Sequence, residues 1–236
     1  MAGPLNVTVI DRADLTWALQ TGSPGSSTTV HVRGMNGYRE QIPVDPFPCY
    51  THDAELVADL LRECSAVFPL AVPVDVVILP FETFDRCNAY TGQHFAYWRD
   101  GERLEPPEWV ARVVIAGKRV PPHPAMTRYL VAHEYGHAVA CAIAELLDGG
   151  DQPHVKQERL YAEYRALRGL PDHREDYGGG EWHTATAEVF ACDFRALVAG
   201  REIEFWPHPG VPDPFTVAGL LEWWVRHADA ARERLA

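Results

Sequence analysis

Val131-Ala132-His133-Glu134-Tyr135-Gly136-His137-Ala138-Val139 stands inside the most apolar helical stretch of the chain. Met126, Leu130, Val131, Val139, Cys141 and Ile143 surround it on nearly every side, so the spacing predicts a buried helix over Ala125 to Leu147. Pro124, just before it, marks a change of period. Ahead of it, short β-prone runs alternate with turn residues. Behind it, His154 to Arg168, Thr184 to Ala199 and Pro214 to Leu235 repeat at helical spacing. Strands first and helices second predict an α+β fold.

On the N-terminal side, Leu5 to Ile10, Thr28 to Arg33 and Tyr38 to Val44 read as a small antiparallel sheet. A helix over Asp53 to Val67 follows, with Thr51 or Asp53 able to cap it. Val74 to Phe81 reads as a buried strand, His94 to Leu104 as a hairpin turning at Asp100-Gly101, and Arg112 to Ala116 as a short β-branched strand closed by Gly117. On the C-terminal side, Gly149, Gly169 and Gly200 fall just past helix ends, and Asp213-Pro214 has the order of a helix start. With 236 residues and no repeat, one domain over 1–236 is expected, a β-rich part at 1–110 followed by a core at 111–236 that carries the helix quoted above.

Composition narrows the function classes. Hydrophobic residues at 47% and charged ones at 23% describe an ordinary folded globule. The formal charge of −12 repels phosphate backbones and anionic lipid, so neither nucleic acid nor a membrane surface is an expected partner. The longest apolar-looking run, Ala66 to Phe81, is broken by Pro69, Pro73, Asp75 and Pro80, too soon for a spanning helix. Asp11, Arg12 and Asp14 interrupt the place where a secretory leader would need apolar residues, and five scattered cysteines suggest no disulfide framework. A soluble, cytoplasmic protein is expected.

The nine residues quoted first contain H-E-x-x-H. At about 100° per residue, His133 and His137 fall ~40° apart on one helix face, one turn along, so both rings can reach a single cation. Glu134 falls about 60° from His137, which sets its carboxylate beside the metal, where it can take a proton from water. With 11 His and 18 Glu in the chain, the pattern has a chance frequency of only ~4%. Two histidines and a glutamate on a buried helix would each carry a desolvation cost of several kcal/mol, and a divalent cation offsets it.

A zinc site of this kind needs a third protein ligand. The extended metzincin pattern is absent, because Ala140 and Ile143 occupy the positions of its glycine and third histidine. Cys141 lies on the same helix and could not complete a tetrahedron without distortion. The helix over Thr184 to Ala199 offers Glu188, a carboxylate among Val189, Phe190, Phe194 and Leu197. By spacing alone Glu188 is equally a ligand or an acid that favours the helix dipole.

His133-Glu134-Tyr135-Gly136-His137 followed by Glu188-Val189-Phe190-Ala191-x-x-Phe194 resembles the gluzincin metallopeptidases, in particular the branch holding the anthrax lethal factor catalytic domain and small bacterial and phage relatives. The likeness covers roughly Arg112 to Gly200. It implies a zincin-like fold, a Zn2+ cofactor and Glu188 as third ligand. It also implies that Arg112 to Ala116 is an edge strand along which an extended peptide pairs. Tyr177-Gly178 looks like the family's Tyr-Gly, whose phenol would steady the oxyanion, although it stands eleven residues before Glu188, a poor match in spacing; His183 is the competing donor. Relatives commonly carry an acid four residues after the ligand glutamate to orient a zinc-bound histidine. This chain has Cys192 there and Asp193 one step later.

The expectation is therefore a zinc metallopeptidase acting on a peptide or protein, with Glu134 as general base. Its rival is a regulatory or interaction protein that keeps the metal as a structural strut. Phe205, Trp206, Phe215, Trp223 and Trp224 read as core aromatics rather than a specificity pocket, and His154, His173, His208 and His227 as surface residues.

Overall fold

The computed structural model describes residues 5–10, 28–33, 39–83, 88–99, 102–148, 157–171, 185–200, 208 and 210–236. It shows a mixed α and β protein with seven strands in two sheets and five α-helices among those residues. The strands are β1 (Leu5–Val9), β2 (Thr28–Arg33), β3 (Arg39–Pro48), β4 (Val74–Ile78), β5 (Phe81–Thr83), β6 (Ala89–Arg99) and β7 (Glu102–Ile115). The helices are α1 (Ala54–Val67), α2 (Pro124–Asp148), α3 (Glu158–Arg168), α4 (Thr186–Ala199) and α5 (Leu220–Leu235). None of the described helices is long and apolar enough to cross a membrane. The chain forms two compact units, one built from Pro4–Leu60 and Val72–Val131, the other from Leu61–Ala71 and Ala132–Ala236.

The first unit holds both sheets. One has the order β1-β4-β7-β6, with β1, β4 and β7 parallel and β6 antiparallel to β7. The other is the antiparallel set β2-β3-β5. This corrects the small antiparallel sheet expected of the first three strands: only β2 and β3 pair with each other, and β1 joins the mixed sheet instead. The reason lies in β4, Val-Asp-Val-Val-Ile, which is buried along its whole length and takes a partner on each side. A parallel partner cannot be delivered by a tight turn, so reading neighbours as pairs fails here.

Arg112 to Ala116 is likewise not an edge. Arg112–115 is the end of β7, which runs between β4 and β6, and Ala111, Val113, Val114 and Ile115 are all buried. Such a run of apolar residues belongs to an inner strand. The expected strand Val74 to Phe81 is divided at Leu79-Pro80 between β4 of one sheet and β5 of the other. Val30, Ile42 and Val44 pack with Val77, Leu79, Phe81 and Val114 as the core of this unit. Across the parallel strands Asn6, Asp75 and Arg112 stand in one row: Asn6 Nδ2 donates to Asp75 Oδ1 at 2.7 Å and Arg112 to Asp75 Oδ2 at 2.7 Å, satisfying a buried charge on both sides.

Helix ends follow the chemistry of their caps. Asp53 Oδ1 accepts from the backbone N–H of Glu55 and Leu56 at the start of α1. Gly169 closes α3 at φ 64°. The single helix expected over Pro214 to Leu235 is instead a 3-10 turn, Pro214–Thr216, followed by α5, because Gly219 at φ 79° takes the left-handed conformation between them. In the second unit Phe190 and Phe194 of α4 lie against Tyr164, Trp223, Trp224 and Tyr135, with ring centroids 4.7 to 6.2 Å apart. Trp223 and Trp224 are thus core, whereas Phe215, expected there too, is exposed, and Phe205 and Trp206 lie outside the described residues.

Candidate metal centre

His133 and His137 stand one turn apart on α2, their rings edge to face with centroids 4.9 Å apart. Their Nε2 atoms are 3.2 Å from each other. Glu188, in the first turn of α4, brings Oε2 to 3.1 Å from His133 Nε2 and Oε1 to 3.5 Å from His137 Nε2. Donors held 2.0–2.1 Å from a tetrahedral zinc are separated by ~3.3–3.4 Å along each edge. The three observed separations bracket that value. This group of two nitrogens and a carboxylate oxygen therefore has the size and the chemistry to hold a divalent cation. Glu134, buried at 4% exposure, is not one of the three converging donors.

The protonation pattern of the group follows from its surroundings. Burial opposes charge on both rings, but at His133 hydrogen bonds to Cys192 and Glu188 outweigh it and raise the ring well above the ordinary imidazole value. At His137, burial and the neighbouring His133 push the ring down to about 4, which keeps the imidazole neutral near pH 7. Burial would raise the Glu188 carboxyl, yet the hydrogen bond from His133 and the fields of both histidines bring it below its usual value. A cation bound here would be held by the Glu188 carboxylate and the two imidazoles, and its binding would require His133 to give up a proton.

The two helices meet closely because of small residues. A Cβ on Gly136 would lie 2.9 Å from Ala191 Cα, 3.0 Å from Ala191 O and 3.1 Å from Phe194 Cβ, so only glycine fits at that point of α2. Each residue of the downstream motif then has a local reason. Glu188 reaches the histidines, Phe190 and Phe194 anchor α4 in the aromatic cluster, and Ala191 allows the approach to Gly136. Tyr135, between the two histidines in sequence, donates its hydroxyl to Phe68 O at 2.9 Å and stacks on Phe194. Sequence reasoning assigned no part to Gly136 or Tyr135.

Behind the histidines α4 supplies a second set of polar contacts. Cys192 Sγ lies 3.4 Å from His133 Nδ1. Burial alone would raise this thiol, but hydrogen bonds from His133 and His208 lower it to about 6. Asp193, one residue on, faces away from this pair toward Tyr164, whose hydroxyl donates to it, and Arg168, whose Nε is 2.8 Å from Oδ2. His208 and His227 are buried at 1% and 7% exposure rather than on the surface as expected. His208 hydrogen-bonds Cys192, and the His227 ring lies tilted against Trp223 while its Nδ1–H donates to the Trp223 carbonyl at 2.8 Å. His154, His173, Tyr177 and His183 lie outside the described residues. Among the described residues, Cys49, Cys64, Cys141 and Cys192 are buried and form no disulfide.

No family model matches this chain, and comparison with the curated proteins and with the solved structures returns no significant match.

Proposed function

We propose that this chain is a zinc-dependent metallopeptidase with a zincin-like centre of the gluzincin type. The observation that carries the reading is the closed triangle of His133, His137 and Glu188 at tetrahedral spacing, with a glutamate immediately after the first histidine. Those three residues would hold the ion. A zinc ion, when bound, supplies Lewis-acid polarisation of a scissile carbonyl and of the attacking water. Glu134 accepts the proton of that water and passes it to the leaving amine, the task of a general base followed by a general acid. The side chains of His137 and Glu188 keep 20% and 24% exposure, so the donors can be approached from outside, as a substrate requires and a closed structural site does not.

The test is metal analysis together with a peptide-library cleavage screen on the wild type and Glu134→Gln. The expected result is about one zinc per chain in both proteins, with cleavage in the wild type only. Equal cleavage by the variant removes Glu134 from the mechanism. Zinc in both with cleavage in neither removes the peptidase reading and leaves a metal-binding protein.

A further inference from the structure

His133 presents its Nε2 to Glu188 and to His137, at 3.1 and 3.2 Å, which leaves Nδ1 on the opposite side of the ring facing Cys192 Sγ at 3.4 Å. A neutral imidazole carries one proton and one lone pair. If Nε2 is the metal-binding atom, Nδ1 must carry the proton, and the group opposite it must accept. Cys192 is fully buried, so no water competes for that place. It stands four residues after Glu188, one helical turn along α4 and on the same face. A single helix therefore brings in both the carboxylate that faces the front of the His133 ring and the sulfur that faces its back.

We infer that Cys192 is the positioning residue of the metal centre, accepting the Nδ1–H of His133 and so holding the ring with its Nε2 lone pair aimed at the ion. This rests on the metal-site reading of His133, His137 and Glu188, and not on peptide cleavage. His208, which hydrogen-bonds the same thiol from the segment before α5, fixes the sulfur in turn. Sulfur is a weak acceptor, and its longer reach suits the 3.4 Å separation. The thiol does not itself touch the ion in this arrangement: the donors converge on the other side of the imidazole.

The experiment measures zinc affinity, by competition with a chromophoric chelator, in the wild type, Cys192→Val and Cys192→Ser. Alongside it, 15N–1H spectra of histidine-labelled, zinc-loaded protein report the His133 tautomer. Valine keeps the volume and removes the acceptor, so Cys192→Val should lose about 10–100-fold in affinity, the usual effect of removing an outer partner of a metal-bound histidine. Serine retains an acceptor and should stay within about threefold of the wild type while melting at a similar temperature. In the wild type the His133 Nδ1 should be the protonated nitrogen, with its proton shifted downfield, and Cys192→Val should lose that shift. Cys192→Val with wild-type zinc affinity overturns the inference while leaving the metal site intact. Zinc-loaded His133 protonated at Nε2 overturns it from the wild-type protein alone, whether or not a variant folds. Failure of the wild type to bind zinc overturns the metal reading and this inference together.

Discussion

Gly136→Ala tests the geometry that joins the two halves of the centre. The added Cβ would lie 2.9 Å from Ala191 Cα and 3.0 Å from Ala191 O, whereas carbon–carbon contacts are comfortable at ~3.5–4.0 Å. At that point α4 must withdraw by about 0.8 Å to reach the middle of that range. Glu188 sits one turn earlier on the same helix, so its carboxylate would retreat with the backbone, and a metal–oxygen bond of ~2.0 Å, were zinc bound, would stretch toward ~2.8 Å. Overpacking costs about 1–3 kcal/mol, and replacing a helical glycine by alanine returns ~1 kcal/mol. The fold should therefore survive with a modest drop in melting temperature. Zinc affinity should fall by more than ~100-fold, beyond the loss of an outer partner, because a ligand itself is displaced. Chelator competition and a thermal melt on the same samples separate the two effects. Ala191→Gly should not rescue the double variant, since the closest atoms are main-chain Cα and O. Zinc binding by Gly136→Ala within threefold of the wild type would refute the claim that this close approach sets the site.

Two further predictions concern buried charge away from the donors. Arg168→Met leaves Asp193 buried without its cation and should cost ~3–5 kcal/mol in urea unfolding above pH 7, where the wild-type carboxyl is ionised. Burial already pushes the Asp193 carboxyl up to about 7 against the pull of Arg168. Because the folded value lies above the unfolded one, the Asp193 contribution to stability grows as pH falls from 7 toward 4, and the deficit of the variant should shrink as pH falls toward 7, the range in which only the wild-type carboxyl is ionised. His52, buried with Nδ1 2.8 Å from Thr127 Oγ1, is lowered from 6.5 to about 4 by burial and by Lys118. Its contribution is full above pH 6.5 and should fall by up to ~3 kcal/mol as pH drops from 6.5 to 4, opposite in sign to that of Asp193. Urea midpoints across that interval should show a shallower fall in His52→Gln, and an identical fall would exclude His52 as the source.

Several features were legible without coordinates because they depend on spacing along one helix or on local backbone chemistry. The H-E-x-x-H pattern puts two imidazoles on one face wherever the helix goes, and α2 forms over Pro124–Asp148 around it. Asp53 capping α1 and Gly169 ending α3 belong to the same class. By periodicity Glu188 is only a carboxylate out of place among apolar residues with its direction open; the resemblance alone singles it out as a ligand. Cys192 departs from the acid that the resemblance implies at its position, and its bond to His133 depends on where α4 packs, which the position alone does not give.

What the sequence determined by itself, then, is the course of α1 to α4, the strand-to-helix change at Pro124 and the pairing of His133 with His137. The tertiary structure decided which strands are neighbours, turning β1 away from β2 and placing β7 inside its sheet. It also decided that Gly136 and Ala191 let two helices approach closely enough for Glu188 to close the triangle. The physical reason is range: helical periodicity and caps act over a few residues, whereas strand order and the meeting of donors 55 residues apart depend on which buried surfaces fit together.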